Sequence, residues 1–275
     1  MIAACLKWVD RRPEIDRLTG AAHLDHRTSG PSDADQAALE WALRMGDAWS
    51  VDVVAVAVAP CGADVMLRDA LAAGASRAVR IDVDDQPASD EVAAAIDAAL
   101  PDDVGLIVCG AWSVDRGSAS VPAFMAARRR ARQALGLLAL TVKQQPGTVM
   151  AERRLDGGRR ERLRVVAPAV LSVEAGAVRP RRASLGAVLA AQAAPVDVVD
   201  GTKDRGGEVR PPVHTAPFRP RPRVLAGPSP VLAAQERILA LTGALVDRHP
   251  PRLVRLDPAA AADELLEQLH AWGYR

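Results

Sequence analysis

The apolar run VGLIVCG at residues 104–110 is followed, two residues later, by SVDRGSASVP at 113–122 and then by AFMAARRRARQALG at 123–136. A continuous apolar run of this length predicts a strand that is buried on both faces. The small hydroxyl residues, Gly and Pro after it predict a turn. Pro122 suits the first turn of a helix, because proline lacks the N–H that would have no partner there. The stretch therefore predicts a strand, a turn and then a helix over residues 122–135.

The same alternation of strand and helix patterns extends over the first half of the chain. Nearly continuous apolar runs predict parallel strands at residues 2–9, 51–58, 78–83 and 104–109. Helical periodicity lies between them at residues 33–48, 63–73, 90–100 and 122–135. We expect Ser32 and Ser89 to cap the first and third helices, and Gly74 and Gly136 to end the second and fourth. This order predicts an α/β fold with a doubly wound, mostly parallel sheet.

The composition is that of a soluble globular protein with either one large domain or one domain and an appendage. Of the 275 residues, 49% are hydrophobic and 25% charged, and the net charge is +1. Aromatic residues make up only 3%, so the core must consist of Ala, Val and Leu. The three cysteines, Cys5, Cys61 and Cys109, are widely spaced in or beside apolar runs, so we expect buried and reduced thiols.

Charge and hydropathy also bound the location of the protein. A net charge near zero gives no general attraction to nucleic acids or membrane surfaces. The apolar N-terminal segment MIAACLKWVD is too short for a signal peptide or a membrane span. We therefore expect a cytoplasmic protein that binds no nucleic acid and does not insert into membranes.

A hairpin pattern opens the second half of the chain. Two alternating runs, at residues 149–155 and 161–166, flank Asp156-Gly157-Gly158, whose glycines allow the positive φ angles of a tight turn. A run at residues 169–173 predicts a further strand, and a short amphipathic helix is expected at residues 185–192. We assign all elements up to this point to one α/β domain over residues 1–200.

The C-terminal quarter has another character. Residues 201–230 are rich in Pro, Gly and Arg and poor in apolar residues, which is typical of an extended arm. Two helices are expected near residues 231–247 and 258–272. A chain that extends away from its own core in this way usually wraps around another molecule, so we expect the tail, residues 231–275, to pack on a partner subunit.

The turn after residue 110 has the residues of an anion site. Ligands of open parallel sheets bind at the carboxyl ends of strands, where a helix N-terminus presents backbone N–H groups. Gly117 allows close backbone approach, and Ser118 and Ser120 add hydroxyl donors. A phosphate is one occupant of such a turn. The alternative is that Ser120 only caps the helix.

Other chemical motifs are few. His23 and His26 form a His-x-x-His pair without a third ligand at useful spacing, so we interpret it as a surface loop and expect no metal site. Gly-x-Ser-x-Gly, Cys-x-x-Cys and Gly-x-Gly-x-x-Gly do not occur in the sequence, so independent covalent, disulfide or Rossmann dinucleotide chemistry has no support in it. Trp8, Trp41 and Trp112 either flank an adenine or serve as core or subunit contacts.

Four segments, in the order in which they occur, carry a family resemblance. They are CLKWVD (5–10), SDADQAALEWALRM (32–45), APCGADVMLRDALAAGASRAVRI (59–81) and AERRLDGGRRERLRVVAPAVLSV (151–173). The last is the most specific, because nine positions match a signature: Arg153, Asp156, Gly157, Gly158, Glu161, Leu163, Pro168, Val170 and Leu171. Over roughly residues 1–200 the chain resembles the beta subunit of electron transfer flavoproteins.

The resemblance implies a fold and a set of partners. The fold would be Rossmann-like, of the adenine nucleotide alpha hydrolase-like type, and a homologous alpha subunit would carry the redox-active FAD. A dehydrogenase would donate electrons and a quinone oxidoreductase would accept them. Because FAD carries the redox chemistry, the resemblance implies no catalytic residue and no enzyme activity of this chain itself. The beta chain would bury a structural AMP and dock the dehydrogenase through a loop containing Leu185. Matched by position, the AMP site would comprise Cys5, Ser32, Asp33, Ala34, Asp35, Val58, Asp115, Gly117, Ser118, Ala119, Ser120 and Val121.

The chain also departs from the family pattern. In the turn at residues 115–122 hydroxyls replace the family's Gln amide, and GAVLAAQAA after Leu185 lacks the family's basic residues. An acyl-CoA dehydrogenase is therefore not the expected partner. The chain is similar to divergent members found beside specialised actinobacterial redox systems, including those of the peptide-derived cofactor mycofactocin. Two alternatives stay open: a stand-alone adenine-nucleotide-binding regulatory module, and a bifurcating type of subunit with a second FAD in place of AMP.

Overall fold

The computed structural model describes residues 1–83, 87–201, 227–242 and 253–274. The chain divides into two compact units, Met1–Phe218 and Arg219–Arg275. Of the predicted arm, only residues 201 and 227–230 belong to the described part, so most of that prediction lies outside it. No helix in the described part is both long and apolar enough to span a bilayer.

The first unit contains thirteen strands and five helices among its described residues. The strands are β1 (Ile2–Cys5), β2 (Val9–Asp10), β3 (Glu14–Ile15), β4 (Ala22–His23), β5 (Ser29–Gly30), β6 (Val53–Val58), β7 (Arg77–Asp82), β8 (Leu106–Gly110), β9 (Arg132–Val142), β10 (Thr148–Arg154), β11 (Arg160–Val166), β12 (Ala169–Val173) and β13 (Asp197–Asp200). The helices are α1 (Asp33–Trp49), α2 (Asp64–Ala73), α3 (Ser89–Ala99), α4 (Val121–Arg128) and α5 (Leu185–Gln192). In the second unit, α6 (Ala234–Thr242) and α7 (Pro258–Ala271) are described.

Nine strands form one sheet in the order β11-β10-β9-β12-β8-β1-β6-β7-β13. All neighbours are parallel except β10, which is antiparallel to both β9 and β11. The short pairs β2 with β5 and β3 with β4 lie outside this sheet. The predicted mostly parallel sheet is therefore confirmed, and the predicted hairpin is the pair β10 and β11.

Helices cover both faces of the sheet. Successive side chains of a strand point to opposite faces, so Ile2 and Ala4 pack with α1 and α2 while Ala3 and Cys5 pack with α3 and α4. Because both faces of the central strands are buried, these strands read as continuous apolar runs in the sequence. The fold is a doubly wound, Rossmann-like α/β fold, as predicted.

Two of the four predicted helix ends are confirmed. Ser32 caps α1 by a reciprocal capping box: its Oγ accepts from the Asp35 N–H at 3.1 Å, and the Asp35 carboxylate accepts from the Ser32 N–H at 3.1 Å. Gly74 ends α2 with a φ of +121°. Ser89 is the first residue of α3 and not its cap, because the Glu91 carboxylate receives the N–H of Ala88 at 2.7 Å and sets the start there.

The predicted fourth helix is too long. α4 ends at Arg128, and the following residues form β9, which no sequence pattern indicated. β9 is held by parallel pairing with β12 and antiparallel pairing with β10, so tertiary pairing overrides the local helical periodicity. Gly136 is no helix end but an irregular position of β9 with a φ of +68°, where its N–H donates to Ser172 Oγ at 3.0 Å.

Smaller differences concern the first strand, the other sheet edge and one thiol. β1 ends at Cys5, and Val9 belongs to β2. The edge strand β13 was not predicted, because its residues are exposed and give no apolar run. Cys5 and Cys109 are buried as expected, whereas Cys61 is exposed in the turn before α2.

In the second unit, α7 agrees with the predicted helix at 258–272, and residues 243–247 of the other predicted helix lie outside the described part.

Candidate functional site

A cavity opens where the strand order reverses. The chain runs from β1 outward through β6 and β7, and then returns to the other side of β1 to form β8. Ligands of open α/β sheets bind at the carboxyl ends of strands at such a point. A cavity of about 110 Å³ lies there, and its walls come from the ends of β1, β6 and β8, from α3 and from the start of α4.

The structure brings most of the predicted AMP-site residues to this cavity. Those that line it are Cys5, Asp35, Val58, Ser118, Ala119, Ser120 and Val121. Ser32 and Ala34 are buried behind Asp35, and Asp33 is exposed at the helix start. Gly117 packs on Trp112. Of the three tryptophans considered above as adenine contacts, Trp112 lines the cavity.

The N-terminus of α1 reaches the end of β8 because residue 110 has no side chain. A Cβ on Gly110 would lie 2.6 Å from Asp35 Oδ1 and 3.0 Å from the Asp35 backbone N. This close approach buries the Asp35 carboxylate, and burial raises its pKa to about 6, against the hydrogen bonds from Ser32 and the charge of Lys7, which lower it. Asp35 is thus an acidic group at the cavity wall that changes charge near neutral pH.

Two thiols form the floor of the cavity. Cys5 and Cys109 are directly paired residues of the adjacent parallel strands β1 and β8, and both are buried. Interaction with the Cys5 thiol, burial and the nearby Asp35 raise the pKa of Cys109 well above its usual range. Thiolate is the reactive form of cysteine, so the raised pKa disfavours the reactive form of Cys109.

The turn before α4 has an unusual backbone. Gly117 and Ala119 both lie in the left-handed region, with φ angles of +59° and +52°. A non-glycine residue pays about 1–2 kcal/mol for this conformation, and such strain is concentrated at functional sites. Ser120 makes no side-chain capping bond to α4, and its Oγ lies 3.0 Å from Ser118 Oγ. The structure therefore does not support the interpretation of Ser120 as only a helix cap.

An ion pair joins β1 to this turn. Lys7 Nζ, in the cavity wall, donates to the two carboxylate oxygens of Asp115 at 2.7 and 2.6 Å, and lies 3.4 Å from Ser113 Oγ. Partial burial would raise the pKa of Asp115, but hydrogen bonds from Lys7 and Ser113 outweigh it and hold that pKa below its usual value. Sequence analysis assigned no role to Lys7. The sequence signal that could have indicated a role for Lys7 was its position two residues beyond the end of β1.

Leu185 lies away from the cavity. It is the first residue of α5, is 75% exposed and follows the N-cap Ser184. The segment before it is fixed to α1, because Glu40 accepts hydrogen bonds from the backbone N–H and Nε of Arg181 at 3.0 and 2.9 Å. Glu40 is buried, so this attachment gives the exposed Leu185 a defined position.

Comparison with known proteins agrees with this arrangement. The electron transfer flavoprotein domain matches residues 23–204, well over half of the chain. The electron transfer flavoprotein subunit beta of Methylophilus methylotrophus is 31% identical over 173 residues, which are 60% of this chain and 64% of that relative. The chain thus aligns with less than two thirds of that relative's length. Because the family match extends over more than half of the chain and includes the cavity residues from Asp35 to Pro122, the chain belongs to the electron transfer flavoprotein domain family.

Proposed function

We propose that this chain is the beta subunit of a heterodimeric electron transfer flavoprotein, in which it holds a structural AMP beside a homologous, FAD-carrying alpha subunit. The observation that carries the proposal is the cavity between β1 and β8 at the reversal of strand order, most of whose lining, from Asp35 to Pro122, lies within the family-matched residues. FAD, when bound to the complex, supplies the redox chemistry. The residues of this chain bind and orient, and none is assigned acid–base work.

The cavity residues fit the parts of an adenylate. Cys5, Val58 and Ile96 belong to the apolar cluster on this side of the sheet and offer an apolar surface to an adenine ring. Residues 118–121 offer the phosphate two hydroxyls and the N–H of Val121 at the start of α4. Pro122 has no N–H, and the Ala123 N–H donates to the Ser120 carbonyl at 3.1 Å. The left-handed Ala119 belongs to the same turn, which supports a functional reason for its strain.

The size of the cavity favours AMP over a second FAD. Its volume of about 110 Å³ is below the roughly 300–1,000 Å³ of most ligand pockets. A bound nucleotide must therefore displace side chains at the mouth, and an adenylate requires a smaller displacement than the much larger FAD. The bifurcating type of subunit is for this reason the less favoured alternative.

Exposed apolar side chains support two of the proposed partners, the dehydrogenase and the alpha subunit. We assign Leu185 as the residue that inserts into the electron-donating dehydrogenase, because an exposed leucine on a well-fixed segment is a suitable interface anchor. A quinone oxidoreductase is the proposed acceptor. The helices α6 and α7 have no buried residues and expose large apolar side chains such as Leu241 and Leu265, which supports a tail that packs on the alpha subunit.

Co-expression with a candidate alpha subunit tests the assignment. We expect a yellow 1:1 complex that contains one FAD, with AMP identified by mass spectrometry after denaturation. A colourless, stable monomer that binds ATP would instead establish the stand-alone module. Two FAD per complex and no AMP would establish the bifurcating type.

Docking is tested separately with Leu185→Ala in the same complex. We expect slower flavin reduction by the cognate dehydrogenase and an unchanged flavin absorption spectrum, because the variant removes an interface anchor and no cofactor contact. Val198→Ala, at an exposed apolar position of β13, is the matched control and should leave the rate unchanged. Equal reduction rates for Leu185→Ala and the wild type would refute the docking assignment.

A further inference from the structure

We propose that Glu40 of α1 is a positioning residue for electron delivery: its carboxylate holds Arg181 against α1 and so fixes Leu185 in the place where the dehydrogenase docks. This inference rests on the proposed docking role of Leu185. It adds a residue that is itself buried, out of reach of the dehydrogenase, and that acts only through the segment leading to Leu185.

The Glu40 carboxylate is shared between two arginines. Its Oε1 accepts from Arg44 Nε at 2.7 Å, and its Oε2 accepts from Arg181 Nε at 2.9 Å and from the Arg181 backbone N–H at 3.0 Å. Burial raises the pKa of Glu40, but the hydrogen bonds from Arg44 and Arg181 outweigh burial and hold that pKa below its usual value. Glu40 is therefore ionised at neutral pH and binds Arg181 by charge-assisted hydrogen bonds.

Arg181 is held at both its main chain and its side chain. Its Nη2 lies 2.9 Å from Oδ2 of Asp47, which is two turns beyond Glu40 on α1. The guanidinium thus bridges two carboxylates along one helix, while the backbone N–H is bound to Glu40. The chain at residue 181 cannot slide along α1 or turn away from it without breaking these bonds.

This attachment supports the end of α5 that carries Leu185. Leu185 is the first residue of α5 and follows the N-cap Ser184, a few positions after Arg181. The buried residue of α5 is Ala191, near its other end, where it lies beside α2. The two ends of this short helix thus have separate supports, and loss of the one at Arg181 leaves Leu185 at the freely moving end.

Removal of the Glu40 charge should release this segment without trapping a charge inside the protein. The Arg181 and Arg44 side chains are 31% and 45% exposed, so each guanidinium can turn into water and no buried cation is left without a partner. In Glu40→Gln the side chain keeps its size, but its NH2 group points at a donor of either Arg44 or Arg181. The variant therefore weakens the attachment of residue 181 while α1 stays in place.

Steady-state kinetics of the FAD-containing complex with its cognate dehydrogenase test the inference at pH 7.5. In Glu40→Gln we expect the apparent KM for the complex to rise about 5- to 10-fold, because apparent affinity falls with the fraction of molecules that hold Leu185 in the docking position. The maximal rate and the flavin absorption spectrum should not change, because Glu40 is not part of the cavity lining. A lower maximal rate at an unchanged KM would overturn the inference.

A double variant tests whether Glu40 acts through Leu185. Glu40→Gln combined with Leu185→Ala should have the KM of Leu185→Ala alone, because a side chain that is absent cannot be misplaced. Losses that multiply would overturn the inference. If Leu185→Ala raises KM and Glu40→Gln does not, docking stands and this inference alone fails. If Leu185→Ala leaves the kinetics unchanged, the docking assignment fails and the inference with it.

Further variants separate positioning from general stability. Arg181→Gln removes the other partner from a segment outside the helices and should raise KM as Glu40→Gln does, which gives the test a second measurement should Glu40→Gln not assemble. Arg181→Lys keeps the charge and should have a KM closer to that of the wild type.

Asp97→Asn is the matched control. Asp97 also accepts from two arginines, Arg128 and Arg129, but it belongs to α3, which covers the opposite face of the sheet from α1. This variant should leave KM unchanged. An equal rise of KM in Asp97→Asn and Glu40→Gln would show a general loss of stability and would overturn the positioning role.

Discussion

Gly110→Ala tests whether the missing side chain at the end of β8 sets the position of α1. The new methyl group would lie 2.6 Å from Asp35 Oδ1, 3.0 Å from the Asp35 N and 3.1 Å from the Ala34 carbonyl carbon. Two of these atoms belong to the backbone, and the third belongs to a carboxylate held by Ser32. The first turn of α1 must therefore move away from β8.

The expected cost follows from this overlap. Extra methyl groups in well-packed sites destabilise proteins by about 1–3 kcal/mol. We expect a loss near the middle of that range, about 2 kcal/mol, which for a protein of this size lowers Tm by about 4–8 °C. The assay is urea unfolding at pH 7.5 together with a thermal scan of the full chain.

Gly105→Ala is the matched control, because Gly105 directly precedes the same strand. A Cβ at Gly105 meets only the Ala167 Cβ, at 3.6 Å, which is an ordinary van der Waals distance. This variant should be as stable as the wild type to within about 0.5 kcal/mol. If Gly110→Ala unfolds at the same urea concentration as Gly105→Ala, the close approach of α1 to β8 does not depend on glycine and the reasoning fails.

Two other variants test the site and the sheet. Asp35→Asn should be more stable than the wild type at pH 7.5, and about 1.4 kcal/mol of this gain should disappear at pH 5. At pH 5 the Asp35 carboxyl of the folded wild type, with a pKa of about 6, is protonated, whereas that of the unfolded chain, with a pKa of 3.8, is not. Acidification from pH 7.5 to pH 5 therefore stabilises the wild type and not the variant. An equal difference in stability at both pH values would show that Asp35 does not titrate in this range. Ser172→Ala should lower the free energy of unfolding by about 1–3 kcal/mol, because the Gly136 N–H loses its acceptor within the sheet. Urea titration measures this loss. A change below about 0.5 kcal/mol would mean that the Gly136 N–H finds another acceptor.

The parts of the fold that sequence predicts are those fixed by local burial. β6 and β8 are covered on both faces, so they are continuous apolar runs whose type and position follow from composition alone. β9 is different, since Arg132 and Gln133 are exposed and small apolar residues follow at helical spacing. Its strand conformation depends on β10 and β12, which come later in the chain, and no local pattern contains that information.

The residues of the candidate site also differ in whether the sequence could indicate them. Cys5 and Val58 were indicated by the family resemblance, whereas the turn at residues 117–121 was also indicated because strand ends and helix starts can be located along the sequence. Lys7 was missed because the residue that gives it a role, Asp115, is 108 positions away. The burial of Asp35 depends on a glycine 75 positions later, so its raised pKa also has no local signal.

The packing of the core and the chemistry of the cavity depend on the same small residues. With 3% aromatic residues, the chain fills its helix–sheet contacts with Ala and Gly, and α1 comes close enough to β8 to bury a carboxylate beside two thiols. Burying a charge costs free energy unless strong partners offset it, and Lys7 is already engaged by Asp115. The side of the cavity near α1 is therefore acidic and favours hydrogen-bond donors, while the side near α4 has the hydroxyls of Ser118 and Ser120 and the N–H of Val121, which suit an anion. The proposed nucleotide, with amino and hydroxyl donors at one end and a phosphate at the other, would suit both sides, whereas inorganic phosphate would suit only one.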